Sequence, residues 1–155
     1  MMDLRRLFLV ATLVVGVMGI TSGPLMAQEG RAALFAVLSG GNSVSNDGDA
    51  NSGDRHGHGS ATVIVLGTDS LCYAVLVNLI DTPIAMHIHE EFAGRNGPVV
   101  IPLTPPDSGN PGAISGCVTD IDPALIRDLR VRPARFYVNV HNAMFPGGVI
   151  RGQLH

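Results

Sequence analysis

The feature that most constrains the fold is a series of short apolar segments, several of them alternating apolar with small or polar residues, separated by glycine, proline and other turn-forming residues. Arg31–Leu38 stops at Ser39-Gly40-Gly41, and Ala61–Leu66 stops at Gly67. Leu71–Leu79 sets Leu71, Tyr73, Val75, Val77 and Leu79 on one face. Ile84–Glu90, Val99–Leu103, Ile114–Thr119, Arg135–His141 and Gly148–Leu154 continue the series. Successive side chains of a strand point to opposite faces, so such segments bury one face and wet the other. At a spacing near a dozen residues they predict an all-β fold, a Greek-key β-sandwich or barrel of about eight antiparallel strands. One stretch breaks the pattern. Asp122 suits a helix N-cap, Pro123 suits the first helical position, and Leu125 and Leu129 share a stripe with Ile121 and Ile126 nearby. With Pro133 beyond its end, this predicts one short helix.

The N-terminus reads as an address. Arg5 and Arg6 precede the apolar run Leu7–Ile20, Thr21-Ser22-Gly23-Pro24 follows, and Leu25-Met26-Ala27 ends on a small residue. This is the layout of a secretory signal peptide over residues 1–27, and the run is short for a membrane span. The expectation is a secreted or periplasmic protein whose mature part, residues 28–155, is one β domain with no transmembrane helix after cleavage. Every basic residue is arginine, the full chain carries a formal charge of −3, and no basic run exists. Nucleic acid is therefore not an expected partner. Cys72 and Cys117 are the two cysteines. In an exported chain they predict a disulfide, and two cysteines at this spacing exclude zinc-finger and thioredoxin chemistry.

Chemistry concentrates in the histidines. Met86-His87-Ile88-His89-Glu90 and Tyr137-Val138-Asn139-Val140-His141 each read as a strand with histidine at or near its end. His87 and His89 point the same way, ~7 Å apart, and His141 is in phase with Tyr137 and Asn139. If the two strands meet, three imidazoles converge. An H-x-H strand plus a third histidine from a neighbour can hold zinc with one position open. The same residues also suit a structural network, in which the histidines bond to backbone and Asn139 and brace the Gly94–Pro98 turn. Glu90 is placed at the rim as a carboxylate. Arg151, the one basic residue inside a predicted strand, is expected to form an ion pair or to receive an anion.

Other motifs carry less. His56 and His58 lie among Gly53, Gly57 and Gly59, which predicts a mobile, solvated loop. Asp47-Gly48-Asp49-Ala50-Asn51 begins like a calcium loop, but Ser52 and His58 stand where the glycine and the glutamate are needed. Glu90 and Glu91 are adjacent, so they point to opposite faces and cannot make a glycosidase pair. No G-x-S-x-G elbow, phosphate-binding loop or dinucleotide glycine pattern is present.

Several stretches resemble one family. Phe35–Gly40 (F-A-V-L-S-G), the segment A-M-H-I-H-E-E-F-A-G-R-N-G-P-V-V from Ala85, S-G-C-V-T from Ser115 and Y-V-N-V-H-N-A-M-F-P-G-G-V-I-R-G-Q-L from Tyr137 are similar to the CHRD domain. That domain is named for its occurrence in chordin and is also found in exported bacterial proteins. The chain departs from the family where N-E-V-P-P is usual, having Asn42-Ser43-Val44-Ser45-Asn46. The resemblance implies an extracellular β domain, a non-catalytic binding or structural module for an unknown extracellular or periplasmic ligand. H-I-H-E also resembles the copper-ligand strand of Cu,Zn superoxide dismutases, although their other ligand loops are not recognisable. Two alternatives follow: a periplasmic copper- or zinc-binding protein, and a metal-dependent redox enzyme.

Overall fold

Each expected segment forms a strand. In the computed structural model, which describes residues 31–155, these are β1 (Arg31–Ser39), β2 (His58–Leu66), β3 (Ser70–Asn78), β4 (Ala85–Glu90), β5 (Val99–Leu103), β6 (Gly112–Val118), β7 (Phe136–His141) and β8 (Ile150–Gln153). The expected signal peptide lies outside the described residues. Strand β2 starts earlier than its apolar run because pairing with β1 continues to Ser39 opposite His58. The helix α1 (Pro123–Val131) begins as the sequence indicates, with the Asp122 carboxylate accepting from the Ala124 N–H at 2.8 Å. It buries Ile126 and Leu129.

The strands form one antiparallel sheet in the order β5-β4-β7-β8-β1-β2-β3-β6. Links β3–β4, β5–β6 and β6–β7 cross between its two halves, and the sheet curls into a nearly closed barrel. Inward-facing Leu34, Leu38, Val63, Val75, Met86, Ile88, Val138 and Ile150 fill the interior, each 5 % exposed or less. Removing such side chains from water is the main stabilising term, ~1.5–3 kcal/mol for each fully buried one. Between the edge strands β5 and β6, Tyr73 of β3 forms a bridge. Its hydroxyl accepts from the Thr104 N–H at 3.0 Å, just beyond β5. Gly116 of β6 pairs with Tyr73, and a Cβ there would lie 2.9 Å from that hydroxyl. Glycine is what lets the ring pass.

Cys72 and Cys117 are directly opposite on β3 and β6 and form the predicted disulfide. No described helix is long and apolar enough to cross a membrane. The His56–His58 loop differs from expectation. Both histidines are exposed, but Gly57 is buried, and a Cβ on it would meet Ile80 Cγ2 at 2.5 Å and Ile150 Cγ2 at 2.9 Å. Its N–H donates to Asp54 O, and its carbonyl accepts from the Gly40 N–H. The glycine serves close packing here, not mobility. At Asp47–Asn51 the chain makes a tight turn around Ser45, whose hydroxyl accepts from the N–H groups of Asp47 and Asp49.

Candidate metal centre

Strands β4, β7 and β8 turn apolar side chains inward and polar ones outward. On the outer face the register aligns His87, Asn139 and Arg151 in one row and His89, Tyr137 and Gln153 in the next. His141 pairs with Ala85 beyond them. The three expected histidines therefore share a face. A bulge between Ile88 and His89 on the β5 side shifts the pairing there. One ring nitrogen from each of His87, His89 and His141 lies within 4.8 Å of the others. Ring centroids are 5.6 Å apart for His87–His89, 5.2 Å for His87–His141 and 6.1 Å for His89–His141. Among the described residues, no other group of three or more His, Cys, Asp or Glu side chains converges in this way.

Hydrogen bonds assign the protons. A carbonyl only accepts, so His89, whose Nδ1 is 2.9 Å from Gly97 O, carries its proton on Nδ1. The same holds for His141, whose Nδ1 is 2.9 Å from Pro146 O. Each neutral ring then presents Nε2 as a lone pair. His89 Nε2 is buried and has no hydrogen-bond partner. His141 Nε2 faces His87 Nδ1 at 3.4 Å, so His87 is the donor of that contact. Burial lowers the pKa of all three rings: His89 falls to about 4, chiefly through burial, with His141, His87 and Arg151 adding to it and the Gly97 bond opposing. At neutral pH the cluster is uncharged. Neutral imidazoles whose remote N–H is held by a carbonyl are the usual form of metal-ligating histidine.

The surrounding groups fall out differently from one another. Tyr137 is buried, stacks on His89 with centroids 4.8 Å apart, and its hydroxyl accepts from the Gly97 N–H at 3.1 Å. Asn139 bonds to Gly147 O rather than to a histidine, and its Oδ1 is buried without a donor. Glu90 turns away and pairs with Arg135 at 3.1 Å. Arg151 has no ion-pair partner among the described residues. It is 1 % exposed, donates to Phe92 O, Arg95 O and Asn96 Oδ1, and lies over the Tyr137 ring, its guanidinium carbon 3.3 Å from the centroid. The expected ion pair gives way because loop 91–97 folds over this face and brings backbone and amide oxygens into hydrogen-bond contact with the guanidinium, while the Glu91 carboxylate acts on it only from beyond ion-pair distance. The expected bracing of the Gly94–Pro98 turn is present, through His89 Nδ1 and Gly97 O. Sequence reasoning missed how the loop extends over Arg151, together with Gln153 and the Pro146 carbonyl. The in-phase spacing of Arg151 and Gln153 on one strand face was the available signal.

Family comparison agrees with the resemblance in the sequence. The model of the CHRD domain matches residues 34–154. The chain belongs to the CHRD family. No curated protein and no solved structure matches it. The CHRD span contains the histidine cluster, Arg151, Tyr137 and both cysteines, so the face built by β4, β7 and β8 lies wholly inside the domain. CHRD membership suggests a non-catalytic module. The likeness to superoxide dismutase stays confined to the H-x-H strand.

Proposed function

We propose that this CHRD domain is an exported, non-catalytic binding module that holds one copper or zinc ion through His87, His89 and His141. The observation that carries this reading is His89 Nε2, a lone pair buried beside two other imidazoles with nothing to bond. An unpaired buried polar atom costs about 1–3 kcal/mol, and a metal ion would satisfy it. In a tetrahedral site, ligands ~2.0–2.1 Å from the ion lie ~3.4 Å from one another, so a pair at 4.8 Å needs to close by roughly 1.4 Å. Three imidazoles suit copper and zinc, and leave one coordination position for water or an outside ligand. Export is supported by the disulfide and by the signal-peptide layout of residues 1–27.

Elemental analysis tests this on the full chain, expressed with its own leader and purified without a histidine tag. Copper or zinc near one equivalent is the expected result. Metal-free protein that takes up neither ion at micromolar concentration would overturn the proposal, and metal-dependent superoxide or hydration turnover would replace it with an enzyme.

A further inference from the structure

Arg151 is a fully buried cation with no carboxylate partner among the described residues. Such a charge is tolerated only where good hydrogen bonds replace its hydration. All three of its acceptors, Phe92 O, Arg95 O and Asn96 Oδ1, belong to one loop, so the guanidinium fork is spent on fastening that loop to the sheet. Gln153 Nε2 adds a bond to Glu91 O at 2.7 Å, and Asn96 Nδ2 donates to Ser45 O at 2.6 Å. The loop closes at Gly97, whose backbone both accepts and donates. Its carbonyl accepts from His89 Nδ1–H, and its own N–H donates to the Tyr137 hydroxyl. Tyr137 in turn contacts both the Arg151 guanidinium and the His89 ring.

We infer that Arg151 and Tyr137 are positioning residues for the three-histidine cluster: they clamp loop 91–97 so that Gly97 keeps the His89 proton on Nδ1 and turns Nε2 toward His87 and His141. The consequence for metal affinity rests on the proposed function, whereas the assignment of the proton does not. Lysine cannot replace the arginine, because a point charge on a flexible stem neither spans three acceptors nor lies flat on a tyrosine ring. Outer partners of ligating histidines commonly matter 10–100-fold in metal affinity.

The test uses the full chain labelled with 15N-histidine. Imidazole 15N shifts read the tautomer at pH 7.5 without metal, and zinc titration reads affinity. Wild-type His89 is expected as Nδ1–H. Arg151→Lys and Tyr137→Phe, checked as folded by their amide spectra, are expected to lose that preference and bind zinc about 10–100-fold more weakly. Exposed His58→Ala serves as a control and should change neither. Should Arg151→Lys fail to fold, Tyr137→Phe decides alone, since it deletes one oxygen and keeps the ring. Folded variants that keep both the Nδ1–H form and wild-type affinity would reduce the two residues to packing and overturn the inference. If the wild type binds no zinc, the metal reading fails and the tautomer measurement still decides this one.

Discussion

His87 Nδ1 and His141 Nε2 are 3.4 Å apart, so a proton and a metal ion compete for the same two nitrogens. In the metal-free protein the proton sits on His87 Nδ1, because His141 has given its own N–H to Pro146. For His87 to ligate through Nδ1, that proton must appear on its Nε2. The ring changes tautomer and the cluster keeps its proton count.

Zinc binding is therefore expected to move the His87 proton from Nδ1 to Nε2 in 15N spectra, while His89 and His141 stay Nδ1–H. Replacing any one of the three with Ala should lower affinity at least tenfold. The exposed His56→Ala/His58→Ala double variant should leave affinity unchanged and stability within ~0.5 kcal/mol, as for ordinary surface sites. Unchanged zinc affinity in His89→Ala would remove the cluster as the site.

The same burial makes metal-free stability sensitive to acid. A histidine with a folded pKa below its unfolded value of 6.5 contributes stability above that value and loses it as pH falls through the folded pKa. For His89 that window runs from 6.5 down to about 4. His87 and His141 shift in the same direction. Urea titrations of the wild type should weaken across this window by ~2–3 kcal/mol more than those of His89→Phe, which keeps a flat ring on Tyr137 but does not titrate. Parallel pH profiles for the two proteins would contradict the assignment.

The strands were legible because alternation is a local property, and the start of the helix because Asp122 and Pro123 suit its first turn. The convergence of His87, His89 and His141 was legible in phase but not in pairing, since no local feature dictates that β4 lies beside β7. What covers the cluster was legible only as the Gly94–Pro98 turn against the histidines, and not as a longer loop fastened by Arg151. Arg151 looked like half of an ion pair because sequence shows the cation and not the loop that folds over it. Gly57 looked like a source of mobility for a similar reason. A missing Cβ permits either freedom or close contact, and only Ile80 and Ile150 decide which.

The disulfide joins residues 45 positions apart and ties β3 to the edge strand β6. Cross-linking a loop of this length restricts the unfolded chain by ~4 kcal/mol in the entropy model. Cys72→Ser/Cys117→Ser is expected to lose ~2–5 kcal/mol while the folded fraction keeps its β-rich circular dichroism. Two titratable thiols in exported wild-type protein would show that the bond does not form there.

Closure of the barrel rests on Tyr73 in a way that a single atom can test. Its hydroxyl ties β3 to the residue after β5, accepting from Thr104 N at 3.0 Å and donating to Thr104 O at 3.5 Å. The ring itself is buried against Gly116 and contributes to the core whether or not the oxygen is present. Tyr73→Phe should therefore keep the apolar burial and remove the bond to the Thr104 N–H, costing ~0.5–1.5 kcal/mol, with faster amide exchange concentrated at Thr104 and along β5. The histidines lie on the outer face of β4 and β7, so zinc affinity should change little. Wild-type exchange at Thr104 in that variant would mean that β5 is held by other contacts, and the tyrosine oxygen would lose its role in closing the sheet.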